Sequence, residues 1–186
     1  MQLSIEETGP IDGARIQAAA YRDKTIKITR ELANVMTDDE LAFIIGHEYA
    51  HIEQEHIAKH TASDAAKRGA FKQTMNQLDE RQKRQGSSKL KRVATQVVGG
   101  VLGGASLAVT SQLESQHYET KADERALEVV EAAGYNPEAS VTAYEKLHGG
   151  RVPDIGVLQS IVSTHPPPKS RHKHLREKSR RRRENG

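Results

Sequence analysis

The stretch "TDDELAFIIGHEYAH", residues 37–51, constrains this chain most, because it combines a helix start signal with two histidines. Thr37 followed three residues later by Glu40 is the capping-box pattern, and acidic residues fill the first turn. The pattern predicts a helix with His47 and His51 in its middle. Positions four residues apart share one helix face, so the two imidazoles can converge on a single ion.

Glu48 follows the first histidine directly and is rotated by about 100 degrees around a helix. It is therefore expected beside the open position of an ion held by His47 and His51, where it can polarise a water and carry its proton. The chain has no cysteine, which excludes disulfides, thiolate ligands and a cysteine nucleophile. Zinc, one ion per chain, is the expected metal, since two imidazoles and a carboxylate are its familiar hydrolytic ligands.

A carboxylate for the third position is expected from "HYETKAD", where Glu119 and Asp123 lie four residues apart on a second predicted helix. One of them can bind the metal while the other orients a ligand imidazole. A second histidine pair, His56 and His60 in "HIAKH", has the same spacing, but Ile57 stands where a glutamate would be needed. We expect that pair to lie on solvated helix surface, with the first helix running to about His60.

Aromatic residues make up 4% of the chain and charged residues 28%, so a core must be built largely from aliphatic side chains on amphipathic helices. The segment "ARIQAAAYRDKTIKITREL" alternates apolar and polar residues around Tyr21–Lys24, which predicts a β-hairpin or meander. The predicted class is α+β, mainly α. Polar residues 61–92 suggest an exposed helix ending near Gly86, or a mobile excursion.

Residues 93–113, "VATQVVGGVLGGASLAVTSQL", carry no charge and are long enough to cross a bilayer. Polar residues and four glycines dilute the segment, so a buried, closely packed core helix is favoured over a membrane span. Insertion into a membrane surface or contact with a partner protein stays open. The oligomeric state is not predicted.

The positive charge of the chain is local, because residues 168–186 hold nine Lys/Arg and two Glu. Residues 179–186 are expected to form a disordered basic tail. Contact with anionic lipid or an acidic partner is the alternative, and nucleic acid is disfavoured because the region has no aromatic stacking residues. The first residues contain no signal-peptide pattern, so either the protein is cytoplasmic or a leader has been trimmed.

Three segments in the same order resemble the gluzincin peptidases of family M48: "TDDELAFIIGHEYAH", "ETKADERALEVVEAAGYNPEA" and "STHPPPKSR". The strand-like region also looks similar, so the resemblance covers about residues 11–178. This family includes HtpX, CAAX prenyl proteases and the soluble periplasmic quality-control proteases of bacteria, and the chain is most similar to the soluble branch. The resemblance implies a zincin-like fold with a small β-sheet or hairpin on the HExxH helix. It implies a single zinc peptidase domain over residues 1–178, with 93–113 inside it.

The resemblance also implies roles for the matching residues. His47, His51 and Glu119 match the zinc ligands, Glu48 matches the general base, and Asp123 matches the carboxylate that orients a ligand. Further along the chain, His165 and Arg171 match a pair that stabilises the oxyanion, which suits a donor and a fixed cation near developing charge.

The expected activity is zinc-dependent endopeptidase cleavage of unfolded or misfolded polypeptides, with a metal-activated water and Glu48 as base. The alternative is a latent zinc-binding module, chaperone-like or membrane-associated, whose site is closed by His165. By resemblance the compartment is the bacterial periplasm or cell envelope, if a leader was trimmed.

Overall fold

The computed structural model describes residues 4–11, 17–86, 88–148 and 169–185. Most of these residues are helical, and a small sheet lies near the beginning of the chain, as expected for an α+β protein of mainly helical content. The strands are β1 (Ser4–Thr8), β2 (Ala18–Ala20) and β3 (Thr25–Thr29). The helices are α1 (Arg30–Val35), α2 (Asp38–Glu53), α3 (His56–Arg84), α4 (Lys89–Ala132), α5 (Ala139–His148) and α6 (Lys169–Asn185).

The sheet has the order β1-β3-β2, with β1 parallel and β2 antiparallel to the central strand. β2 and β3 form the predicted hairpin, and its turn is closed by the backbone of Tyr21, which donates to the carbonyl of Thr25 at 2.9 Å. Ile26 and Ile28 of the central strand are buried in the hydrophobic core. β2 lies at one edge of the described sheet.

Helix α2 begins at the predicted capping box. The hydroxyl of Thr37 accepts from the backbone of Glu40, and the carboxylate of Glu40 accepts from the backbone of Thr37 at 2.9 Å. The helix ends at Glu53, earlier than expected, because Glu55 adopts a left-handed backbone with φ 57° and α3 starts anew at His56. A continuous helix to His60 is therefore wrong.

The chain divides into two compact units, residues 1–57 with 116–186, and residues 58–115. The sequence had suggested one peptidase domain over residues 1–178. The first unit contains the sheet and a core of buried apolar side chains from α1, α2, α4, α5 and α6, including Leu32, Phe43, Leu127, Val130 and Leu175. The metal-binding motif lies in this unit.

The second unit is a helical hairpin made from most of α3 and the first part of α4. Two glycines of α4 receive large side chains of α3: a Cβ at Gly103 would lie 2.0 Å from Phe71, and one at Gly99 would lie 2.8 Å from Met75. Lys67 of α3 pairs with Glu114 of α4 at 2.5 Å. The glycines therefore let the two helices approach closely.

Two expectations about packing differ from the structure. Residues 93–113 are not a buried core helix, because none of the side chains described in this part of α4 is buried. Residues 179–185 are helical rather than a disordered tail, and they continue α6. In that helix Leu175 and Ser179 are buried, and Arg182 pairs with Glu131 of α4.

Candidate metal centre

Two imidazoles of α2 point at a common position. The Nε2 atoms of His47 and His51 lie 3.1 Å apart, and each residue is 7% exposed. The rings meet edge to face with centroids 4.8 Å apart, as the one-turn spacing allows. Helix α2 thus presents two nitrogen donors to one point.

Helix α4 supplies a carboxylate to the same point. Glu119 Oε2 lies 3.3 Å from the Nε2 atom of His47, and Oε1 lies 3.4 Å from the Nε2 atom of His51. Glu119 is 3% exposed, so three buried donors from two helices converge here. Of the two carboxylates in "HYETKAD", Glu119 lies close to both Nε2 atoms, whereas Asp123 does not face them.

A small residue before the motif allows α2 and α4 to approach. A Cβ placed on Gly46 would lie 3.5 Å from the backbone of Ala126, which is fully buried. The guanidinium of Arg125 binds both carboxylate oxygens of Glu53, at 2.6 and 2.8 Å, and fixes the end of α2 against α4. Gly46 and the Arg125–Glu53 pair therefore set the spacing that brings Glu119 to the histidines.

Asp123, one turn after Glu119, contacts the imidazole of His47 at Nδ1, the ring nitrogen opposite the metal position. Its Oδ1 lies 2.9 Å from the Nδ1 atom of His47, and the aspartate is fully buried. Burial alone would lower the pKa of His47, but hydrogen bonds and charge from Asp123 and Glu119 outweigh it and raise the pKa to about 10. A carboxylate in this position fixes the proton on Nδ1 and turns Nε2 towards the metal position.

Arg171 of α6 joins the two acidic residues of α4. Its guanidinium donates to Asp123 at 2.7 and 2.8 Å and to Glu119 at 2.9 Å, and the residue is 4% exposed. Burial raises the pKa of Asp123, but the charge of Arg171 and hydrogen bonds from His47 and Arg171 outweigh it and lower that pKa. The same arginine lies over the ring of Tyr144, 5.6 Å from its centroid. Arg171 therefore offsets two buried negative charges and fixes both side chains.

His56 belongs to the site, although its sequence pattern suggested solvated surface. It is 5% exposed, its Nδ1 lies 3.2 Å from the Nδ1 of His51, and its ring stacks on Tyr118 at 4.6 Å. The break at Gln54 and Glu55 turns His56 inwards, and neither residue is a Gly or Pro that would announce the break. His60, by contrast, has a side chain that is 34% exposed.

The donor set fits a divalent metal. One donor atom from each of His47, His51 and Glu119 lies within 4.8 Å of the others, and all three residues are buried. Each imidazole is contacted at Nδ1 by another side chain, so its Nε2 is the atom that faces the group. Two imidazoles and one carboxylate are a set that zinc takes in catalytic sites.

A comparison with known families covers nearly the whole chain. The model of Peptidase family M48 matches residues 6–179. The chain belongs to peptidase family M48. Members of this family are metallopeptidases that hold a divalent metal, usually zinc.

Two metalloproteases of Escherichia coli (strain K12) are similar to this M48 chain. It is 27% identical to LoiP over 172 residues and 25% identical to YcaL over 169 residues. Each match covers 88% of this chain but 58% of the relative. The chain therefore spans less than two thirds of the length of these two relatives.

Three residues were predicted to take part in catalysis by an M48 peptidase, and the structure describes two of them. Glu48 is 3% exposed and lies on α2 between the two histidines. His165 lies outside the described residues. Arg171 is placed at the centre through Asp123 and Glu119, and its oxyanion role stays a prediction.

Proposed function

We propose that this chain is a zinc-dependent endopeptidase that cleaves unfolded polypeptides. The observation that carries the proposal is the convergence of His47, His51 and Glu119 within a buried site, with Glu48 adjacent in the same helix. Membership of a metallopeptidase family supports hydrolysis of peptide bonds. Zinc would be held by those three residues, and when bound it supplies a Lewis acid that polarises a carbonyl and makes water more acidic.

Glu48 is the proposed general base. Its carboxylate would accept a proton from the attacking water and pass it to the nitrogen of the leaving amine. A buried position keeps the carboxylate from exchanging its proton freely with bulk solvent, and Glu48 is buried. The same carboxylate therefore serves as base in one step and as acid in the next.

The neighbouring residues hold the ligands in place. Asp123 and His56 contact the Nδ1 atoms of His47 and His51, which fixes both rings. Arg171 fixes Glu119 and Asp123. The further proposal that Arg171 and His165 stabilise the oxyanion rests on the resemblance of "STHPPPKSR" to the family pattern.

The edge strand β2 is the proposed binding place for substrate backbone. β2 is the short segment Ala18–Ala20 at the edge of the described sheet, and its methyl side chains leave room for an added strand. Strand addition selects extended chains through main-chain hydrogen bonds, with little demand on side chains. This favours unfolded polypeptides over folded proteins.

Cleavage of an unfolded protein such as casein tests the assignment. Zinc-loaded wild type should cleave it, while Glu48→Gln with the same zinc content should be slower by about 10²–10⁴-fold. Glu55→Gln removes the same charge from an exposed position seven residues away and should keep wild-type activity. If Glu48→Gln cleaves as fast as wild type, the base is wrongly assigned. If wild type binds zinc and cleaves nothing, the site is latent or non-hydrolytic.

A further inference from the structure

The hairpin of residues 58–115 has one polar and one apolar outer face. Thr95, Gly99 and Gly103 of α4 lie on the face towards α3, where Gln82, Met75 and Phe71 meet them. Residues two positions away on a helix point about 200 degrees round, so Val97 and Val101 lie on the opposite face. They are 60% and 68% exposed.

The apolar face is continuous and broad. Val93, Val98 and Leu102 add to it with exposures of 47%, 57% and 66%. Gly100 and Gly104 on α4 have open space where a Cβ would stand. Such a stripe of exposed aliphatic side chains is unusual for a surface in water and indicates an interaction site.

The outer face of α3 is polar, in contrast to the apolar face of α4. Gln73 and Gln77 follow Phe71 and Met75 by two positions, and both are exposed. Other polar residues lie nearby on the same helix, namely Lys72, Asn76 and Glu80. These side chains exclude burial of the whole hairpin in hydrocarbon. The length and composition of α4 from Arg92 onwards would suit a membrane span, but its partner helix would not.

Positive charge lies at the end of the apolar stripe. The segment 81–92, which contains the turn between α3 and α4, holds six Lys/Arg and no Asp or Glu. Arg81, Arg84 and Lys89 are exposed, whereas Lys83 and Arg92 pair with acidic residues of α3. An apolar face beside a cluster of cations matches an interface with acyl chains and anionic headgroups.

We propose that this hairpin lies in the plane of an anionic bilayer surface, with Val93, Val97, Val101 and Leu102 of α4 in the acyl boundary and the outer face of α3 in water. The segment 81–92 contacts the headgroups. This surface and the metal centre belong to different compact units of the chain, and the test of the surface does not depend on peptidase activity.

Vesicle flotation of the full chain tests the face. Wild type should float with vesicles that contain about 30 mol% anionic lipid, and more weakly with neutral vesicles. Val97→Glu/Val101→Glu should reduce flotation at least about tenfold, because it places charge in the acyl boundary. Gln73→Glu/Gln77→Glu adds the same charge to the outer face of α3 and should stay within about threefold of wild type. Equal helicity and zinc content verify that both variants fold.

A fluorescent residue reports the orientation directly. The chain has no tryptophan, so Val101→Trp and Gln77→Trp each introduce a single indole. Anionic vesicles should shift the emission of Val101→Trp to shorter wavelength and leave that of Gln77→Trp unchanged. Absence of wild-type flotation, equal loss in both charge variants, or equal shifts of both indoles would overturn the proposal. A vesicle-independent dimer that Val97→Glu/Val101→Glu abolishes would also overturn it, by assigning the face to a second copy.

Discussion

At the scale of single residues, the two imidazoles of the candidate metal centre are held by different groups. His47 has the carboxylate of Asp123 at its Nδ1, whereas His51 has the imidazole of His56. When Nε2 binds a metal, Nδ1 carries the proton, so His56 must accept it through its own Nδ1. His56 is therefore a positioning residue for His51.

His56→Phe should weaken zinc binding about 10- to 100-fold, because it keeps a ring against Tyr118 but removes the acceptor. His56→Asn places an oxygen near the position of Nδ1 and should restore most of the affinity. His60→Phe, one turn along the chain, is the matched control. Competition with a chromophoric chelator measures the affinity, and an unchanged value in His56→Phe would contradict this role.

The two acidic residues that α4 contributes to the centre, Asp123 and Glu119, depend on Arg171. Burying two carboxylates without a partner would be strongly unfavourable, and removing one member of such a cluster typically costs about 3–5 kcal/mol. Arg171 makes hydrogen bonds to both Asp123 and Glu119. Arg171 therefore fixes the two acidic side chains of α4 in defined positions.

At the scale of elements, the start of α2 is held by a network around Glu40. Its carboxylate accepts from the backbone of Thr37 and from the ammonium of Lys146 on α5, at 2.9 and 2.5 Å. Burial raises the pKa of Glu40, but the hydrogen bonds from Lys146 and Thr37 lower it by more, so the net shift is downward. The helix that carries the metal motif is thus fixed at its first turn by a charged side chain.

The lowered pKa sets the direction of a pH effect. The pKa of an ordinary Glu side chain is about 4.3. The stabilisation by Glu40 is therefore complete above that pH, and it is lost as the pH falls through the lower pKa of the folded state. Glu40→Gln should cost about 0.5–2 kcal/mol of unfolding free energy at neutral pH, the range for lost caps. Denaturant titrations of wild type and variant should converge at acidic pH. Asp38→Asn, in the same turn, is the control, and a difference that persists in acid would contradict this account.

Element boundaries show where local sequence signals suffice. The capping box at Thr37 predicts the start of α2 because both partners lie within one turn. The end of α2 is not predictable in this way, since Gln54 and Glu55 carry no breaker signal. Similarly, four glycines did not interrupt α4, because Gly99 and Gly103 are contacted by side chains of α3.

At the scale of the whole molecule, the metal centre joins distant parts of the chain. Glu119 and Arg171 are 52 residues apart in sequence, and both histidines come from a third segment. A ligand that binds only the folded state stabilises it by about 2.7 kcal/mol at a hundredfold excess over its dissociation constant. Metal should therefore stabilise the unit that contains α2 and α6.

Removal of zinc by a chelator should lower Tm by about 5–10 °C, from that free energy and the usual 2–4 °C per kcal/mol for chains of this size. Hydrogen exchange should lose protection in residues 38–53 and 116–132 and change little in residues 58–115. His47→Ala/His51→Ala should show no difference between zinc and chelator. A shift of equal size in that variant would assign the stabilisation to another site.

The sequence alone determined the features that depend on neighbours along the chain. The capping box, the one-turn spacing of His47 and His51, and the paired Glu119 and Asp123 are local patterns, and one turn of helix is enough to fix their geometry. Together with "STHPPPKSR", they also indicated the family whose model matches residues 6–179.

Burial was decided only by the tertiary structure, because it depends on which surface packs against each helix face. The pattern "HIAKH" gave no sign that His56 is buried against His51, and the apolar composition of residues 93–113 gave no sign that they are exposed. The basic residues 179–186 suggested a disordered tail, yet residues 179–185 continue α6 and Ser179 is buried. Composition describes what a segment can do in isolation, whereas packing partners far along the chain determine whether it faces protein or solvent.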